Sequence, residues 1–134
     1  MNFYIDTCIY RDYLENRKDK FRPLGDWAFE LFKLIINEKH ILIYSDLNIA
    51  ELKFSFSEKK VLEIFDIFPE KIKISITNNN LNEAKELSKK HSLNINDALH
   101  SVIARENKAI LITRDKHFLE LSKIVEIKKP EELI

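Results

Sequence analysis

The sequence predicts an α/β fold, a mainly parallel sheet with helices on both faces, built as a single domain over residues 1–134. Short β-prone runs alternate with longer stretches of helical spacing along the whole chain. Strands separated by helices pair in parallel through right-handed crossovers. A length of 134 residues with 45% apolar content suits one core, and there are no internal repeats, low-complexity segments or linkers to divide it.

The first strand is Phe3 to Ile5 in "NFYIDTCIY", where the apolar run stops at Asp6-Thr7. A first helical stretch follows, then a loop, "FRPLGD", with Pro23 and Gly25. "DWAFELFKLIINEK" repeats apolar residues at three and four, as an amphipathic helix does. Ile41 to Tyr44 is the second strand and "SDLNIAELKF" the helix after it. "KVLEIFDIF" is a further helix and Ile72 to Ile76 the third strand. "LNEAKELSKKH" places Leu81, Ala84, Leu87 and Ser88 on one side of a helix. "NDALHSVIARENK" is another, capped by Asn96. The remaining strands are Ile110 to Ile112, in "ILITRDKHF", and Val125 to Ile127.

Composition removes several functions. Net charge is zero, from 22 basic and 22 acidic side chains, so any nucleic-acid surface must be local. Its candidates are Arg11, Arg17, Lys18, Lys20 and Arg22, the pair Lys89 and Lys90, and Arg114 with Lys116 beside Asp115. The one cysteine, Cys8, excludes an internal disulfide and a Cys-rich zinc site. With Gly25 the only glycine, Gly-rich phosphate loops are excluded too, so phosphate chemistry must use metal. No apolar run approaches the roughly 18 residues of a membrane span. Met1-Asn2-Phe3 enters a strand-like run with no signal-peptide pattern, and cytoplasmic localisation is expected.

In an open parallel sheet, ligands bind beyond the carboxyl ends of the strands. Asp6 and Asp115 lie at such ends, although an Asp there can equally cap the next turn or helix. Glu51 interrupts the Leu47, Ala50 and Phe54 face of its helix, which is costly unless it is paired, coordinated or at a solvent-facing edge. Asp97, in a first helical turn, is favoured by the helix dipole in any case. Taken together the acids say more, because clustered carboxylates repel and generally hold a divalent cation. Hard oxygen donors select Mg²⁺ or Mn²⁺ over zinc.

The segments "YIDTCIY", "SDLNIAELKF", "NINDALHSVIA" and "LITRDKHF", in this order and across the whole chain, resemble a PIN-domain ribonuclease, above all the VapC toxin of VapBC toxin–antitoxin pairs. The resemblance implies a three-layer α/β/α sandwich and metal-dependent hydrolysis of RNA to a 5′-phosphate and a 3′-hydroxyl. On the matching positions it makes Asp6 and Asp97 the principal metal ligands, with Glu51 and Asp115 completing the site directly or through water. Thr113 and Thr7 would support the acids by hydrogen bonds. Arg11, Arg114 and Lys116 are the nearest candidates for contacts to the RNA backbone. A cognate antitoxin and a homodimer are the implied protein partners, the dimer also suggested by the many large apolar residues of "WAFELFKLII" and "FSFSEKKVLEIFDIF".

Where many relatives carry a further acid, two residues after the last motif aspartate, this chain has His117, which bears on a second metal. His117 reads as a surface or loop residue and His100 as packing or solvent-facing, neither needed for the mechanism. Alternatives are a stand-alone RNA-processing nuclease and a domain that binds RNA or protein without cutting. A dehalogenase-type phosphotransferase would need an acid where Cys8 stands.

Overall fold

Phe3 and Ile5 enter one apolar core and Tyr4 the other, so the first strand is covered on both faces. That is the environment of a parallel sheet, whose strands read as continuous apolar runs. In the computed structural model, which describes residues 1–134, five strands form one all-parallel sheet. They are β1 (Asn2–Ile5), β2 (Ile41–Ser45), β3 (Lys71–Ile74), β4 (Ala109–Ile112) and β5 (Ile127–Lys128), in the order β3-β2-β1-β4-β5. Helices α1 (Thr7–Leu14), α2 (Leu24–Asn37) and α4 (Glu58–Asp66) pack on the Phe3 face. Helices α5 (Asn78–His91) and α6 (Ile95–Glu106) pack on the Tyr4 face. Helix α3 (Asp46–Lys53) sends Leu52 to the first core and Leu47 to the second. The architecture is the expected three-layer α/β/α sandwich, and no helix is long and apolar enough to cross a membrane.

Strand order reverses at β1, which pairs with β2 on one side and β4 on the other. The crevice for a ligand therefore lies beyond Ile5, Ser45 and Ile112.

Local chemistry moves several boundaries. Strand β3 ends at Ile74, short of Ile76, because Thr77 turns the chain into α5 through a capping box with Asn80. Its Lys-Ile-Lys-Ile sequence is largely exposed, and edge lysines discourage pairing with another sheet. Strand β5 is only Ile127–Lys128, so Val125 lies before it. The cap of α6 is Asn94, not Asn96: the Asn94 side chain accepts the Asn96 N–H at 2.8 Å. Ala50 and Phe54 are exposed, so Glu51 does not interrupt a buried face.

Helix α2 begins at Leu24, which puts Gly25 inside its first turn instead of in a loop. A Cβ on Gly25 would lie 2.8 Å from the Asp12 carbonyl oxygen and 2.9 Å from the Asn16 Cα. Both are backbone atoms and cannot swing away. Gly25→Ala is expected to destabilise the fold by about 1–3 kcal/mol in urea unfolding, whereas wild-type stability would show that α1 and α2 can separate freely.

Candidate metal-binding active site

The site is built from segments far apart in sequence. A cleft of about 360 Å³ is lined by Asp6, Thr7, Cys8, Arg11, Glu51, Phe54, Ser55, Asn96, Asp97 and Asp115. The four acids proposed from sequence are thus in one place, at the crevice where strand order reverses.

Asp6 occupies the residue before α1, yet its side chain makes no capping bond. Instead its Oδ2 accepts from the Thr113 hydroxyl at 2.8 Å and from the Cys8 thiol at 3.1 Å. The capping explanation of a strand-end Asp fails here. It holds for Asp115, whose Oδ1 accepts the His117 N–H at 2.9 Å and starts a short 3-10 turn over Lys116–Leu121. Thr113 joins the two, since its oxygen also accepts the Asp115 N–H at 3.0 Å.

Glu51 is held twice at one oxygen. Its Oε1 accepts from the Thr7 hydroxyl at 2.7 Å and from His100 Nε2 at 2.7 Å. Burial opposes ionisation of Glu51, but the hydrogen bonds from His100 and the Thr7 hydroxyl hold its carboxyl below the usual value. Behind it, Asn48 donates to Thr7 at 3.1 Å and to the Ile5 carbonyl at 3.2 Å.

Asp97 behaves oppositely. Burial first, then the charges of Asp115 and Asp6, push its carboxyl up to about 6. Carboxyl oxygens of Asp97 and Asp115 and a ring nitrogen of His117 all lie within 4.8 Å of one another. His117 is exposed, as expected, but stands close enough to share a ligand with these acids. The donor set of clustered carboxylates with mutual repulsion fits a divalent cation.

Because the folded value for Asp97 lies above its unfolded one, this group favours folding below 3.8 and the contribution is lost as pH rises through about 6. In chelator at pH 7.5, Asp97→Asn is expected to stabilise the protein by about 1 kcal/mol, a figure reduced for the part-exposed setting. A scan of melting temperature against pH checks it, and a variant less stable than wild type at pH 7.5 would contradict the repulsion.

The three cationic candidates separate. Arg11 lines the cleft. Lys116 is exposed but does not line it. Arg114 does not line the cleft: it donates to Glu131 at 2.7 and 2.9 Å and to Asp12 at 3.3 Å, and lies over the Trp27 ring at 5.3 Å.

His100 is the residue the sequence reading undervalued. It is 1% exposed and bridges Glu51 and the Tyr4 hydroxyl, the latter at 2.6 Å. The signal in the sequence was its setting among Ala98, Leu99, Val102, Ile103 and Ala104, since a polar side chain on so apolar a helix is buried and needs partners.

Residues 3–124 match the PIN domain family, and the chain belongs to that family. Solved structures share the fold. A toxin–antitoxin complex from Klebsiella pneumoniae aligns with a TM-score of 0.70 at 18% identity, covering 96% of this chain and 97% of that one. VapBC2 from Rickettsia felis, bound to a DNA fragment from its promoter, gives 0.67 at 17%, covering 96% and 98%. FitAcB from Neisseria gonorrhoeae gives 0.64 at 17%, covering 98% and 99%. No curated protein sequence matches the chain.

Proposed function

We propose that this PIN-domain protein is a divalent-metal-dependent endoribonuclease and the toxin of a toxin–antitoxin pair. The observation that carries the reading is the convergence of Asp6, Glu51, Asp97 and Asp115 on one cleft at the carboxyl end of the sheet. Asp6 and Asp97 would be principal ligands of Mg²⁺ or Mn²⁺, with Glu51 and Asp115 completing the set directly or through water. When bound, the ion would supply Lewis acidity toward the phosphate and make water a better nucleophile.

The chain's own groups do the positioning. Thr113 and Cys8 occupy Oδ2 of Asp6, and Thr7 and His100 occupy Oε1 of Glu51. Oδ1 of the first and Oε2 of the second take no hydrogen bond from these four groups and are available to ligate. A carboxylate of the cluster orients the attacking water or takes its proton. Arg11 meets the RNA backbone at the cleft, and Lys116 extends the contact. Products would carry a 5′-phosphate and a 3′-hydroxyl.

A protein partner is supported by the toxin–antitoxin complexes that share the fold. A groove of about 490 Å³ lined in part by Tyr13, Leu14 and Phe29 offers an apolar anchor for an antitoxin tail. Most large apolar residues of α2 and α4 fill the core, leaving Leu62 of α4 and Ile67 just after it exposed for a homodimer contact. The cytoplasm, where RNA is met, is the compartment consistent with this reading.

The test is direct. Purified protein is expected to cut single-stranded or looped RNA with Mg²⁺ or Mn²⁺ and to stop in excess chelator. Cleavage that persists in chelator, or none with either ion, would overturn the proposal.

A further inference from the structure

We propose that His100 is a positioning residue of the acidic site: with its proton on Nε2, it locks one oxygen of Glu51 so that the other is presented to the divalent ion. This rests on the metal-site reading above and adds a determinant of metal affinity that lies outside the ligands.

The hydrogen bonds permit few arrangements. Glu51 Oε1 can only accept, so the proton at 2.7 Å is carried by His100 Nε2. The other ring nitrogen faces the Tyr4 hydroxyl at 2.6 Å, and that hydroxyl faces the Ser45 hydroxyl at 2.7 Å. Burial pushes the Tyr4 hydroxyl well above its usual value, so Tyr4 keeps its proton and can donate it to Nδ1. The Ser45 hydroxyl has two acceptors in reach, the Tyr4 oxygen at 2.7 Å and Asn48 Oδ1 at 3.3 Å. The donors that position Glu51 then run from Tyr4 to His100 to Glu51, and each of these three groups has a partner.

The relay also explains why a ring, and not another carboxylate or a lysine, stands at this point of α6. Its members come from the ends of β1 and β2 and from α3 and α6, which are elements that carry or adjoin the acids. The planar ring transmits the orientation of Tyr4 to Glu51 across the cleft floor. His100 itself is not placed as a ligand, because Nε2 is used by Glu51 and lies 3.9 Å from the nearer Asp6 oxygen. Hydrogen-bond partners behind metal ligands typically change metal affinity or activity by about 10–100-fold when removed.

The experiment measures Mn²⁺ binding to the full chain by calorimetry or electron paramagnetic resonance, without RNA. His100→Phe, which removes both ring nitrogens, is expected to weaken Mn²⁺ binding by about 10–100-fold. His100→Gln keeps an N–H able to reach Glu51 and is expected to restore most of the affinity. Tyr4→Phe covers the case in which His100→Phe fails to fold: it frees Nδ1 without emptying the core, and a several-fold loss is expected. Nitrogen-15 spectra of wild type should show the Nε2–H form. Unchanged Mn²⁺ affinity in folded His100→Phe, or an Nδ1–H form, would overturn the assignment. Wild-type protein that binds no Mn²⁺ would overturn it together with the nuclease reading. Mn²⁺ binding that depends on His100, without RNA cleavage, would overturn only the latter.

Discussion

Asp6→Asn and Asp97→Asn are each expected to lower metal-dependent RNA cleavage by about three orders of magnitude or more, with the folded circular dichroism spectrum retained. Losing a ligand of a cation that stabilises developing charge removes several kcal/mol from the transition state, and each 1.36 kcal/mol is about tenfold in rate. The Asp6 variant has a particular logic. Thr113 and Cys8 both donate to Oδ2, so an asparagine keeps its oxygen there and turns its NH₂ toward the position of Oδ1. The fold's hydrogen bonds survive while a ligand becomes a donor. Wild-type rates in both variants, measured on one RNA at saturating Mn²⁺, would remove the assignment of the site.

Arg114→Met is expected to cost about 3 kcal/mol in urea unfolding, because it takes the nearer cation from buried Asp12. Asp12 is 3% exposed, and burial pushes its carboxyl up even with Arg114 beside it. Its other cation, Arg17, is 3.8 Å away. Glu131 loses both of its hydrogen bonds from Arg114, and Trp27 loses the guanidinium over its ring. Adding Asp12→Asn should return part of the loss, as coupled partners do. A single variant within 0.5 kcal/mol of wild type would show that the clamp does not hold this loop, the margin being that of an ordinary surface change.

The parallel sheet was legible in the sequence because both of its faces are covered. Strands such as Ala109–Ile112, buried at every position, have no polar face to blur the pattern. The edge was harder to read: β3 and β5 have less burial to mark their ends, and capping by Thr77 decided where one of them stopped. For the acids, strand ends gave the positions of Asp6 and Asp115, but sequence does not distinguish a capping carboxylate from one that faces a cleft. Both acids line the cleft, but Asp6 takes its hydrogen bonds from Thr113 and Cys8, whereas Asp115 also caps the next turn through the His117 amide. The partners of His100 and Arg114 were not legible for related reasons. A polar residue's role depends on what other segments bring to it, and Glu51, Tyr4, Asp12 and Glu131 are all distant in sequence.

The pairing of β1 with β4 has a kinetic consequence. Asn2 is in register with Ala109, and the Thr113–Asp6 hydrogen bond closes a sequence separation of 107 residues. Contacts of such range are formed against a large loss of chain entropy and tend to come late in folding. Helix pairs such as α1 with α2 and α5 with α6 are local by comparison and can assemble first. The two strand ends that carry Asp6 and Asp115 meet only when this central pair closes. A chain that has its helices but not its middle pair therefore has Asp6 and Asp115 apart, so the acidic cleft is assembled by the closing of the sheet and not by any one helix pair.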